Sequence, residues 1–126
     1  MRRKEKLQYS PLVPTLSLMD ERTFQRQVEA TATLFGWYAY HVVDSRRCTS
    51  AGFPDLVLSH PATDTQPART IFAELKTETG RVSKHQHIWL TTLRASGMDV
   101  RVWRPSNEQE IEATLKVYTI IPGVAR

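Results

Sequence analysis

From Phe24 through Val28 and Ala32 to Phe35, apolar residues recur every three to four positions. That spacing predicts a helix over residues 18–35, with Gly36 placed to end it. Ser17 and Asp20 read as its start signal, and Asp20 and Glu21 suit a first turn whose backbone N–H groups carry positive charge. The pattern then changes. "WYAYHVV", residues 37–43, is aromatic and β-branched and predicts a strand. "DSRRCTSAG" follows as a loop. "PDLVLSH" and "TIFAELKT" predict two more strands, separated by the surface turn "PATDTQPAR". "ETGRVS" leads into a second helix with Ser83 as N-cap and Ile88, Trp89, Leu90 and Leu93 as its apolar side, ended by Gly97. "DVRVWRP" is a fourth strand closed by Pro105, and a last helix starts at Ser106. "VYTIIPGVAR" reads as an extra strand or an extended arm. The order αβββαβα implies an α/β domain, a mixed β-sheet flanked by helices.

Residues 1–16 are basic and interrupted by Pro11 and Pro14, so they read as a flexible arm ahead of one domain over residues 17–120, with residues 121–126 as a tail. A chain of 126 residues, 40% hydrophobic, can bury a core without staples. Its net charge of +4 mildly favours an anionic partner. Cys48 is the only cysteine, which excludes an intramolecular disulfide and fits a reducing cytoplasm. No apolar run approaches the roughly 18 residues of a membrane span, and the prolines behind "MRRKEK" make a poor signal-peptide core. No zinc-ligand spacing and no glycine-rich nucleotide-binding pattern is present.

Two strands carry charges that a buried strand does not want. Asp55 opens one, after Gly52, Phe53 and Pro54. Glu74 and Lys76 sit in the other. Alternation along a strand puts Glu74 and Lys76 on one face. If the strands pair, two carboxylates and an ammonium converge. Neighbouring acids repel and raise each other's pKa, and a divalent cation relieves the repulsion. Magnesium accepts two carboxylates, a carbonyl and several waters. It polarises a phosphate oxygen and acidifies a bound water, while a lysine stabilises the growing charge. Those are the needs of metal-dependent phosphodiester hydrolysis.

Pro54-Asp55 with Glu74-Leu75-Lys76 resembles the PD-(D/E)xK nuclease superfamily. "GWYAYHVVDSRRCTSAGFPDLVL", "FAELKTETGRVSKHQHIWLTTLRASG" and "DVRVWRPSN" are similar, within it, to the VRR-NUC family, and the likeness runs from about Glu21 to Leu115. The resemblance implies a restriction-endonuclease-like core, with Asp55, Glu74 and the backbone carbonyl of Leu75 as metal ligands and Lys76 as the catalytic lysine. The Ser83-Lys84-His85-Gln86 segment fits the family's Ser-x-x-Gln, so Gln86 would border the site. His85 is not needed as a base. An acid on the first helix is also implied, Glu21 in preference to Glu29. Arg46 and Arg47, in a segment like the family's "SRR", and Lys84, where a helix start welcomes phosphate, are the expected DNA contacts. The family implies a Mg2+- or Mn2+-dependent endonuclease of phage or bacterial origin in the cytoplasm, acting as a homodimer on branched DNA such as a Holliday junction. The competing expectation is a DNA-binding module that keeps the fold without turnover.

Overall fold

The computed structural model describes residues 19–42 and 51–116. The predicted arm, the tail, Ser17, Cys48 and the Arg46–Arg47 pair lie outside the described residues. Helix α1 (Glu21–Leu34) is followed by strands β1 (Tyr38–His41), β2 (Leu56–His60) and β3 (Arg69–Leu75), helix α2 (Lys84–Ala95), strand β4 (Asp99–Trp103), a 3-10 turn (Pro105–Asn107) and helix α3 (Glu108–Lys116). The predicted order αβββαβα therefore stands as an α/β fold with a mixed sheet.

Local chemistry sets the element ends. Asp20 caps α1, its side chain accepting from the Thr23 N–H at 2.8 Å. At the other end, the Gly36 N–H donates to the Thr33 carbonyl and the Trp37 N–H to the Ala32 carbonyl, with Gly36 at φ +88°. That is a Schellman close, and glycine accepts its left-handed backbone most cheaply. Several boundaries differ from expectation: the first helix begins at Glu21, β2 at Leu56 and the last helix at Glu108. The first strand stops at His41, and β3 stops at Leu75, leaving Lys76 just past its end. Pro105 follows directly after the extended segment that ends β4, as expected. It opens the 3-10 turn ahead of α3, because its fixed φ suits a first helical turn.

The strands lie in the order β1-β2-β3-β4, antiparallel for the first two pairs and parallel for the last. Leu56 and Leu58 of β2 and Ile71, Ala73 and Leu75 of β3 face α1 and α3, forming one core with Phe24, Val28, Ala32, Ile111 and Leu115. Phe72, on the alternate face, meets Phe53 edge-on, and Phe53 meets Trp89 of α2 in the same way. The central strand β3 is thus covered on both sides. Trp37 and Trp103 are buried. Among the described residues, no helix is long and apolar enough to cross a membrane.

Trp37 ties α3 to the strand layer through its Nε1–H, which donates to the Leu115 carbonyl at 2.9 Å. Trp37→Phe leaves that carbonyl without its donor and removes ring volume from the core. A loss of roughly 2 kcal/mol is expected. It would appear as a lower urea midpoint with an unchanged slope.

Candidate active site

The strand register brings the charges together. Leu56 pairs with Ala73 across β2 and β3. Extending that antiparallel register by one residue sets Asp55 opposite Glu74, and facing residues project from the same side of the sheet. The Asp55 carbonyl accepts from the Val42 N–H, so the β1–β2 pairing also continues through Asp55. Lys76 follows two residues after Glu74, held by its own N–H to the Trp103 carbonyl at 3.0 Å. All three predicted residues therefore meet at one end of the sheet.

Each carboxylate is fixed by backbone or side-chain donors. Asp55 Oδ2 accepts from the Leu75 N–H at 2.8 Å. Glu74 is fully buried. Its Oε2 accepts from Gln86 Nε2 at 2.7 Å and lies 3.5 Å from Lys76 Nζ. Gln86 is itself oriented, because its Oε1 accepts from the Ser83 N–H while Ser83 Oγ accepts from the Gln86 N–H. This capping box starts α2 and aims the glutamine amide at the acid.

Gly52 lets α2 approach. Its backbone is at φ +93°, and a Cβ there would lie 2.6 Å from the His85 carbonyl carbon and 2.8 Å from the Gln86 nitrogen. Only glycine leaves room for the first turn of α2 to pack against the segment leading to Asp55.

The remaining Glu74 oxygen, Oε1, is buried with no hydrogen-bond donor. Its neighbour Asp55 is within hydrogen-bonding reach of Glu74, but two carboxylates offer only acceptors unless a proton or a cation lies between them. Burial first, and the Asp55 charge second, push the Glu74 carboxyl up to about 8, against the pull of Lys76. Burial also holds Asp55 above the usual carboxylate range, opposed by the Leu75 N–H. An orphaned buried oxygen beside a second carboxylate is a donor pair that suits a hard cation. Among the described residues no three His, Cys, Asp or Glu side chains converge, so solvent or substrate oxygens would complete its shell.

Glu21 and Glu29 both border the cleft that leads to Asp55. Only Glu21 is tied to the paired acids through its charge: burial raises it, Asp55 raises it further and Lys76 opposes. Glu29 Oε2 instead accepts from Gln25 Nε2 at 2.9 Å. Lys84 and His85 are exposed in the first turn of α2. His41, read from the sequence as an ordinary strand residue, ends β1 in the same cleft, and its charge acts on Asp55.

Sequence reasoning missed Arg104. Its Nη1 donates to the carbonyls of Thr77 at 2.6 Å and Gly80 at 2.7 Å, with Glu78 at 3.3 Å. The Ser106 N–H donates to Glu78 Oε2 at 2.6 Å. The segment between Lys76 and the α2 cap is thus pinned from the end of β4. An arginine before a proline looked like a strand end, and no local pattern marks the carbonyls it gathers.

Compared with known proteins, residues 5–107 match the family model described as the VRR-NUC domain, a nuclease domain of the PD-(D/E)xK superfamily. The four-stranded mixed sheet with helices on both faces is consistent with that superfamily's restriction-endonuclease-like fold. No curated protein and no solved structure matches the chain.

Two outcomes are expected. In EDTA the folded chain keeps the Glu74 proton that the unfolded chain releases near 4.5, so the stability linked to it is present below that pH. It is lost as pH rises from about 4.5 through about 8. Glu74→Gln should flatten this slope and be more stable than the parent at pH 8.5, by up to a few kcal/mol at ~1.4 kcal/mol per unit. Urea midpoints across that range measure it. Separately, Arg104→Ala frees three carbonyls, and a loss of about 2 kcal/mol is expected, with faster amide exchange in the connection after Lys76.

Proposed function

We propose that this chain, which belongs to the VRR-NUC family, is a metal-dependent endonuclease that hydrolyses phosphodiester bonds in DNA. One observation supports it above the rest. Asp55 and Glu74 face each other across paired strands, with Glu74 fully buried and one of its oxygens lacking a donor. Holding two acids together in this way is costly, and no apolar core requires it. Lys76 and the Gln86 amide offset only part of that cost.

In this reading Asp55, Glu74 and the Leu75 carbonyl hold Mg2+ or Mn2+, which, when bound, polarises the phosphate and acidifies water. The chain's own residues do the rest. The Leu75 N–H and the Gln86 amide fix the two carboxylates, so their oxygens need no reorientation. Lys76 places an ammonium beside Glu74, where negative charge grows on the phosphate in the transition state. Glu21 adds a carboxylate at the mouth of the site, able to hold a water by hydrogen bonding. Lys84, exposed in the first turn of α2, offers a cation to a flanking phosphate.

Action on branched DNA, a homodimeric state and a cytoplasmic setting are proposed from the family resemblance. A four-way junction needs two opposed cuts, and a twofold dimer supplies two sites. The edge strand β1, with Tyr38 73% and Tyr40 67% exposed on one face, offers a surface for pairing.

A cleavage gel tests this. The protein is incubated with a synthetic four-way junction, a splayed arm and linear duplex, in Mg2+, Mn2+ or EDTA. Paired junction nicks that need metal are expected, falling at least ~100-fold in Lys76→Ala. Equal cutting of linear duplex would remove the branched-DNA reading. A junction bound but never cut under any metal would replace the enzyme with a DNA-binding module.

A further inference from the structure

The cleft that ends at Asp55 extends along one side of α1, with a volume of about 550 Å³. Its charges follow the helix in order. Glu21 stands nearest the paired acids by its coupling to Asp55 and Lys76. Arg22 and Arg26 come next, one helical turn apart and therefore side by side. Glu29 closes the row, with its Oε2 occupied by the Gln25 amide. His41 borders the cleft from β1.

The two arginines are exposed, and among the described residues neither forms an ion pair, although the charges of both act on Asp20 at the helix N-cap. The arginines on or just past the strands behave differently. Arg69 and Arg101 are spent on Asp99, and Arg104 on backbone carbonyls. Arg22 and Arg26 thus present two guanidiniums with no acid in contact, Asp20 acting on them only at longer range, in a cleft that opens onto the candidate site. A guanidinium fork matches phosphate oxygens in two-point contact and stays charged at any working pH.

We infer that Arg22 and Arg26 form a phosphate track, gripping backbone phosphates of the DNA strand that flank the one held between Asp55, Glu74 and Lys76. The inference rests on the nuclease reading for what lies at the site, and it adds where the strand runs: along α1. The acids at the two ends of the row confine phosphate to its middle, because Glu21 and Glu29 repel an uncompensated anion. These contacts bind and position. They carry no sequence information, since phosphates are the same at every step.

The test measures DNA binding by fluorescence anisotropy in Mg2+ over a range of KCl, in a Lys76→Ala background so that the fluorescein-labelled duplex stays intact. Three proteins are compared: that parent, the parent with Arg22→Ala and Arg26→Ala, and the parent with Arg94→Ala and Lys116→Ala. The last pair removes equal charge from the final turns of α2 and α3. Losing both track contacts should weaken binding roughly tenfold or more at 0.1 M salt and flatten the log–log salt slope by about 1.8. The control pair should leave the slope within about 0.5 of the parent. With Lys76 restored, the track variant should keep its cutting rate at saturating DNA within about twofold while KM rises. A slope no flatter than that of the control pair overturns the track, as does a parent that binds no DNA. Failure of the nuclease reading is seen elsewhere, in a Lys76-bearing chain that never cuts with metal, and the slope comparison still judges the track in that case.

Discussion

A buried carboxylate facing a second one is the constraint around which this structure is arranged. Glu74 sits in the most covered strand of the sheet, where an apolar residue would be the stable choice. It is kept there by the Gln86 amide, by Lys76 and by a register that leaves Asp55 nowhere else to face. Burial drives the pair toward a shared proton, and a cation relieves the same strain. In the proposed reading that cation is the metal ion.

The surrounding elements serve that pair. The capping box that starts α2 also orients Gln86, so one hydrogen-bond set does structural and electrostatic work. Gly52 permits that helix start to come close. Arg104 and Ser106 hold the chain between Lys76 and α2 from beyond β4. At the far end of the same parallel pair, Asp99 receives Arg69 and Arg101. Burial would raise its carboxyl, but those hydrogen bonds carry it below the usual range. The β3–β4 pair is thus locked at both ends by arginines.

The acids were legible because they break a pattern. Glu74 interrupts an apolar strand, Asp55 and Lys76 flank the ends of two, and period-two alternation already put Glu74 and Lys76 on one face. The α2 cap was equally legible, since Ser83 and Gln86 bond locally. Arg104 was not, because its partners lie 24 to 27 residues away in sequence. Arg22 and Arg26 look, in sequence, like the wet side of an amphipathic helix, and only the packing of α1 beside Asp55 makes them border a cleft. The last helix was read from Ser106, but a 3-10 turn opened by Pro105 comes first and the α-helix begins at Glu108.

The parallel pairing of β3 with β4 has a consequence in time. Antiparallel β1, β2 and β3 pair across stretches shorter than the one between β3 and β4. Leu75 finds Trp103 only after a helix has been made between them. Lys76 is anchored to the Trp103 carbonyl, and the segment behind it to Arg104. During synthesis the acids can meet as soon as β3 forms, but the lysine has no fixed place until the ribosome has released residue 104. The longest loop closure in the sheet is also the step that completes the site.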